Sequence, residues 1–262
     1  MRELIFYIQR WELTKRDYFV KNIVSSAAIF ALACYAVKSG VFETYTDTKA
    51  CLFTVLMCAI WSGIFNSIAL FYSEEDYTTD DLNKILSVRV YIIANFIIQL
   101  VLSFIEAIVS CVIFSLFYNY DVDGILFSNA NFDYLVTFFL VIFSADMLGF
   151  ATGMLVGSIT SAMTLIPILL IVQFLFSGCL FELDGILKSL SIYTTAKWGY
   201  SALGSISNLN HYLQKMNPMA KANSLFITTP EHLSSCWMHL ILLIIICSFA
   251  AGILLYRKIN YS

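Results

Sequence analysis

Apolar residues run along this chain in long unbroken stretches, separated by short polar breaks. Six stretches stand out, at about 20–37, 50–72, 90–118, 134–157, 162–181 and 236–256. A hydrocarbon core of about 30 Å needs roughly 20 helical residues to cross it, which these runs approach or exceed. No window alternates at period two as barrel strands would. Helices satisfy their own backbone hydrogen bonds in lipid, so the pattern predicts an all-α membrane protein with six transmembrane helices.

The polar breaks differ in kind. Residues 2–17 place Leu4, Ile8 and Trp11 on one helical face, with Arg2, Arg10, Glu12, Lys15 and Arg16 mostly elsewhere. That arrangement predicts an N-terminal amphipathic helix at the membrane interface. Residues 73–89, between the second and third spans, form a charged elbow bearing Glu74, Glu75, Asp76, Asp80 and Asp81. The long break at 182–235 begins too apolar for an ordinary water-exposed loop. Its first half reads as short helices dipping back into the outer leaflet, a partly re-entrant segment tolerated when packed on protein. Its second half, with Pro218 and Pro230, reads as an exposed cap.

Composition strengthens the membrane reading. Of 262 residues, 60% are hydrophobic and only 13% charged, against about 25% charged in soluble domains. Lys and Arg set the orientation. Arg2, Arg10, Lys15, Arg16, Lys21, Lys84, Arg89, Arg257 and Lys258 fall on one side, and only Lys38 and Lys49 in the short loops of the other. Both termini, and the acidic elbow, are therefore expected in the cytoplasm. A net charge of −3 argues against nucleic acid as a partner. The seven cysteines show no CxxC spacing and read as apolar space-fillers. Only Cys179 and Cys236, at the outer ends of two spans, are placed where a pair could form.

Three features bear on chemistry. Glu106 and Asp146 fall near the middle of the third and fourth spans, where an ionisable group costs about 2.5–3.5 kcal/mol. They are either a proton or cation site or a point that recognises a cationic substrate, or else protonated or hydrogen-bonded carboxyls that tie helices together through serines such as Ser103, Ser110 or Ser144. Gly149, Gly153 and Gly157 repeat every fourth residue, a stripe of small residues for helix packing. His211, His232 and His239 are scattered without a metal-binding pattern, and neither GxSxG nor GxxxxGK[ST] occurs. No metal or cofactor is expected in this chain. If ATP drives it, another chain binds the nucleotide.

The order of these elements resembles a type-2 ABC exporter permease, closest to the G-subfamily membrane domain. The resemblance rests on Phe65-Asn66-Ser67-Ile68 with Glu74 following, on Phe176-Ser177-Gly178, and on Ala196-Lys197-Trp198-Gly199-Tyr200 followed by Ala202-Leu203-Gly204. It implies a second permease chain, the same or homologous, paired around a central path. It further implies two ATP-binding cassette subunits, carrying ATP and Mg, docked beneath. By position in the family pattern, Trp61, Phe65 and Asn66 would face the path from the second span, and Ile171, Phe174 and Phe176 from the fifth. Cys179 and Leu180 would take the place of an outer plug. Glu74, Glu75, Asp76, Asp80 and Asp81 would contact the ATPase, although relatives tend to be basic where this chain is acidic after Glu74.

Such a path suits a hydrophobic or amphipathic substrate: a lipid, a drug, or a peptide such as a bacteriocin. Two other readings stay open. One is a proton-coupled secondary transporter using Glu106 and Asp146; the other is a membrane sensor or immunity protein. The outer loops lack N-x-[ST] sites, which leans towards a bacterial plasma membrane.

Overall fold

The computed structural model describes the backbone of residues 2–37, 39–85, 88–120, 122–156, 158–181 and 183–261. The side chains of 2–18, 73–85, 88, 89, 91, 255, 256 and 258–261 lie outside the described set. Among the described residues nine α-helices follow one another: α1 (Arg2–Ala36), α2 (Tyr45–Ile85), α3 (Val88–Phe117), α4 (Ala130–Leu155), α5 (Ile159–Leu175), α6 (Gly185–Ser191), α7 (Thr195–Ile206), α8 (Leu209–Met216) and α9 (Pro230–Tyr261). No strand occurs among the described residues.

Five of these helices are long and apolar enough to cross a membrane, through Phe19–Ala36, Tyr45–Tyr72, Ile92–Phe117, Ala130–Leu155 and Pro230–Leu254. The fifth expected span, 162–181, falls on α5, an apolar helix of 17 residues. At 1.5 Å per residue it extends about 25 Å, so it is shorter than the other five. Its register also differs from expectation. Ser158 caps the start through its side chain, and the chain leaves the helix at Phe176, before the positive φ of Gly178.

Two helices run on where polar residues suggested a break. No proline or glycine lies between Arg2 and Ala36, and the expected interfacial helix joins the first span as one helix, α1. Likewise, Thr44 caps α2 by accepting a hydrogen bond from the Asp47 N–H at 3.2 Å. From there α2 continues for 41 residues through the charged elbow to Ile85, about 60 Å of helix. The side chains of Glu74, Glu75, Asp76, Asp80 and Asp81, and those of the lead-in face, lie outside the described residues.

Helix α4 is the centre of the bundle. Buried positions occur all round it, from Ala130 to Met154, as expected of a helix enclosed by others. It packs on α2, α3, α7 and α9. The α2 contact is a backbone approach. A Cβ on Gly149 would lie 2.6 Å from the Ile64 carbonyl oxygen and 3.1 Å from the Ser67 side chain. One turn on, Gly153 faces Phe71. Gly157 lies outside the described residues.

The outer segment packs against this core. Helix α7 is buried over most of its length, and a Cβ on Gly199 would meet Leu56 of α2 at 2.6 Å and Val141 of α4 at 2.7 Å. Helix α6 is different: Ile186, Leu187 and Leu190 are exposed.

Candidate functional site

A polar seam crosses the interior where the bundle is otherwise apolar. Helix α3 supplies Gln99, Ser103 and Glu106, spaced so that all three lie on one helical face. Glu106 is 5% exposed and Gln99 2%. The Asn66 Nδ2 of α2 donates to Glu106 Oε1 at 2.7 Å and to Ser26 Oγ of α1 at 2.9 Å. Ser67 Oγ donates to Gln99 Oε1 at 3.3 Å. Ser103 Oγ bonds Asp146 Oδ2 of α4, and it also donates to the Gln99 carbonyl oxygen at 2.7 Å. One seam therefore ties four helices together.

The seam is incompletely satisfied. Among the described residues, Glu106 Oε2 and Gln99 Nε2 have no hydrogen-bond partner. No group of three or more His, Cys, Asp or Glu side chains that could hold a metal ion occurs among the described residues. Of the three serines considered as partners for the acids, Ser103 is one. Ser144 instead bonds Thr195 of α7 at 2.8 Å.

That Ser144–Thr195 bond sets the depth of α7. Ser207, just past the end of α7, bonds Tyr134 at 2.7 Å. Helix α7 thus lies along α4 from Ser144 back to Tyr134, about 15 Å of helix. Its first turn is held from a second side, since the Ala196 N–H donates to Gln173 Oε1 of α5 at 2.9 Å. Gln173 is buried while its neighbours Ile171 and Val172 are exposed, so this polar contact fixes which face of α5 meets the bundle.

The expected wall residues are distributed unevenly. Trp61 and Phe65 are half-buried and stack on each other, with ring centroids 5.5 Å apart. Asn66, expected beside them, is turned into the bundle and held by Ser26 and Glu106. On α5, Ile171 is 56% exposed. Phe174 packs on Phe53 of α2 at 5.3 Å. Phe176 and Cys179 are half-buried and Leu180 is exposed. Among the described residues no ring pair joins Trp61 or Phe65 to Phe174 or Phe176. All seven cysteines are free thiols.

Gln99 and Gln173 were not singled out from the sequence, yet both hold helices in place. The signal for Gln99 was present: with Ser103, Glu106 and Ser110 it forms a polar row at intervals of four, three and four residues in an apolar helix. Gln173 is an isolated polar residue, and nothing around it marked its role.

Comparison with curated proteins finds no match to the chain. The ABC-2 type transporter family matches residues 1–206, which span α1 to the end of α7. ABC-2 membrane domains are transmembrane permease domains rather than ATPase domains, and they generally work with ATP-binding cassette subunits. The match covers the polar seam, the residues expected to line a path and the buried outer helix, and the chain accordingly belongs to the ABC-2 type transporter family as a multi-pass membrane permease subunit of an ABC transporter.

Proposed function

We infer that this chain is one half of the membrane path of an ATP-driven exporter. A second permease chain, the same or homologous, supplies the other half. Two cassette subunits bind ATP and Mg on the cytoplasmic side, where both termini lie. The observation that carries this reading is the continuity of α2, a single helix from Tyr45 to Ile85. It joins the stacked pair Trp61 and Phe65 directly to the acidic residues between Glu74 and Asp81. A push delivered to those acids would reach the wall without passing through a loop.

In this reading Trp61 and Phe65 form the wall on α2, and Ile171, Phe174 and Phe176 form it on α5. Cys179 and Leu180 close it outside. Asn66 moves from the wall to the seam behind it. A path walled by aromatic and aliphatic side chains accepts a hydrophobic or amphipathic cargo such as a lipid, drug or peptide. Helix α5 is the sixth crossing, supplemented by the turn that follows Leu175. The depth at which α7 meets Ser144 supports a re-entrant outer segment. ATP binding would draw the cassette subunits together and switch the path from inward- to outward-facing.

Reversing Glu74 and Glu75 to Lys tests the coupling. ATP hydrolysis should continue without export, while the permease still inserts. Full coupling in that variant would refute the assignment of these acids. The buried Glu106 and Asp146 also permit a second reading, proton-coupled transport without a cassette partner. Export that survives ATP depletion and tracks the proton gradient would favour it. Co-purification of an ATPase chain with the permease would favour the first.

A further inference from the structure

Trp198 joins three helices at the end of the bundle where α9 begins. Its indole Nε1 donates to the carbonyl oxygen of Ile192, just past α6, at 2.8 Å. The His239 ring of α9 stacks on it with centroids 3.7 Å apart, and the Lys197 ammonium lies over it at 4.8 Å. His239 is oriented in turn by its Nδ1, which donates to the Ser235 carbonyl oxygen at 2.7 Å. One aromatic ring thus fixes a corner between α6, α7 and α9.

Two cations meet at this corner. Lys188 of α6 is exposed, and its charge reaches Lys197. Burial and that like charge both push the Lys197 ammonium down, and among the described residues the Cys236 thiol is the one acidic group that offsets them. Asp184, at the α6 N-cap one turn before Lys188, balances one of the two charges at most; Glu182 lies outside the described residues. Two ammoniums with no carboxylate between them suit a shared phosphate, which makes charge-assisted hydrogen bonds with each.

The surface around and beyond the cations is apolar. Ile186, Leu187 and Leu190 are exposed on either side of Lys188. On α9, Leu242, Ile246, Phe249 and Ile253 follow His239 at intervals of three and four residues, so they share one face, and all four are exposed. From His239 to Phe249 the stripe runs about 15 Å, the depth of one leaflet in a hydrocarbon core of about 30 Å. A cationic head above an apolar stripe of that length matches an amphiphile with an anionic headgroup and acyl tails. A second copy docked two-fold on the same face would set lysine against lysine. Helix α9 also packs on α3, α4 and α7, whereas the path assigned above runs along α2 and α5.

We propose that this corner binds an anionic phospholipid of the bilayer, with its phosphate held by Lys188 and Lys197 beside Trp198 and its acyl chains along the exposed face of α9. The lipid would tie the projecting α6 to the membrane surface. The proposal rests on the exporter reading in one respect, that the partner chain lies across α2 and α5 and leaves α9 to lipid.

Native mass spectrometry of the purified full-length permease, titrated with dioleoyl phosphatidylglycerol, tests this. One tightly bound lipid per chain is expected. Lys188→Gln combined with Lys197→Gln should weaken binding about 30-fold, about fivefold for each lysine. Lys215→Gln on α8 should leave it unchanged. Dioleoyl phosphatidylcholine, whose choline brings its own cation, should bind the wild type more weakly and respond little to the substitutions. Equal phosphatidylglycerol affinity in the wild type and the double variant overturns the proposal. So does displacement of the lipid by inorganic phosphate at the same concentration, which would make the corner a site for a soluble anion. If the double variant fails to accumulate, the two single variants decide. Copy-to-copy cross-linking of Ile246→Cys, in a background without the native cysteines, would place a second permease chain on α9 and also overturn it. Neither readout depends on the Glu74 and Glu75 coupling test, so the two readings fail separately.

Discussion

Replacing Asn66 with Leu removes two interhelical bonds while keeping the branched outline of the side chain. The Nδ2 contacts at 2.7 Å to Glu106 and 2.9 Å to Ser26 are both lost. Interhelical hydrogen bonds inside membranes average about 0.6 kcal/mol each, so the bonds themselves are worth about 1.2 kcal/mol. The larger part of the cost falls on Glu106, whose Oε2 already has no partner. With Oε1 also stripped, the buried carboxyl has lost its amide donor, adding about 1–3 kcal/mol. Asn66→Leu should therefore destabilise the permease by about 2–4 kcal/mol. Glu106→Met, which strands one amide hydrogen of Asn66, should cost about 1–3 kcal/mol. The double variant removes both members and should cost less than the two single variants added together, because neither partner is then left without the other. Denaturant titration of the reconstituted protein measures each corner of the cycle. A coupling energy of about 1–3 kcal/mol is expected for residues in direct contact. Additivity within about 0.5 kcal/mol would show that the two side chains do not depend on each other, and the seam would have to be redrawn.

Three further predictions follow from the packing. Gly149→Ala should destabilise more than Gly199→Ala, although both added carbons meet atoms at 2.6 Å. The first meets the Ile64 backbone and forces α2 and α4 apart, at about 1–3 kcal/mol. The second meets methyl ends of Leu56 and Val141, which can turn aside; equal melting temperatures for the two variants would contradict this. Cysteines at Ser144 and Thr195, whose hydroxyls are 2.8 Å apart, should cross-link under mild oxidant once the native cysteines are replaced. Absence of the cross-link in folded protein would show that α7 sits elsewhere. Trp61→Ala and Phe65→Ala should change cargo selectivity in transport assays while leaving insertion intact, and unaltered transport by both would remove them from the path.

The long helices were legible because their signal is length and hydropathy, which the sequence states directly. Their ends were less so. The charged residues after Tyr72 mark where α2 leaves apolar surroundings, not where its backbone stops, and without proline or glycine nothing ends the helix there. The same holds between the lead-in and first span in α1. Glu106 and Asp146 announced themselves by the cost of placing acids in lipid. Their partners did not, because Asn66 is distant from Glu106 in sequence and only the packing of α2 on its neighbours brings them together. Asn66 was assigned to the path from its place beside Phe65. Adjacent residues on a helix point about 100° apart, given 3.6 residues per turn, so the two can serve different faces. The buried outer helix was suggested by its apolar composition, but its depth rests on the Thr195 and Gln173 contacts.

The backbone contact between Gly149 and Ile64 also determines how α2 can move. No side chain separates the two backbones at that point, so if α2 moves against α4 in the exporter cycle proposed above, it would tilt here rather than slide. In that movement the contact would serve as a fulcrum. From Ile64 the helix extends about 32 Å to Ile85 and about 28 Å back to Tyr45, so the arms of the lever are nearly equal. A displacement imposed at the acidic end would emerge at the opposite end reversed in direction and almost undiminished. Trp61 and Phe65, within a turn of the pivot, would rotate in place. In the exporter proposed above, such a lever would hold Trp61 and Phe65 still while the two ends of the path open and close in turn.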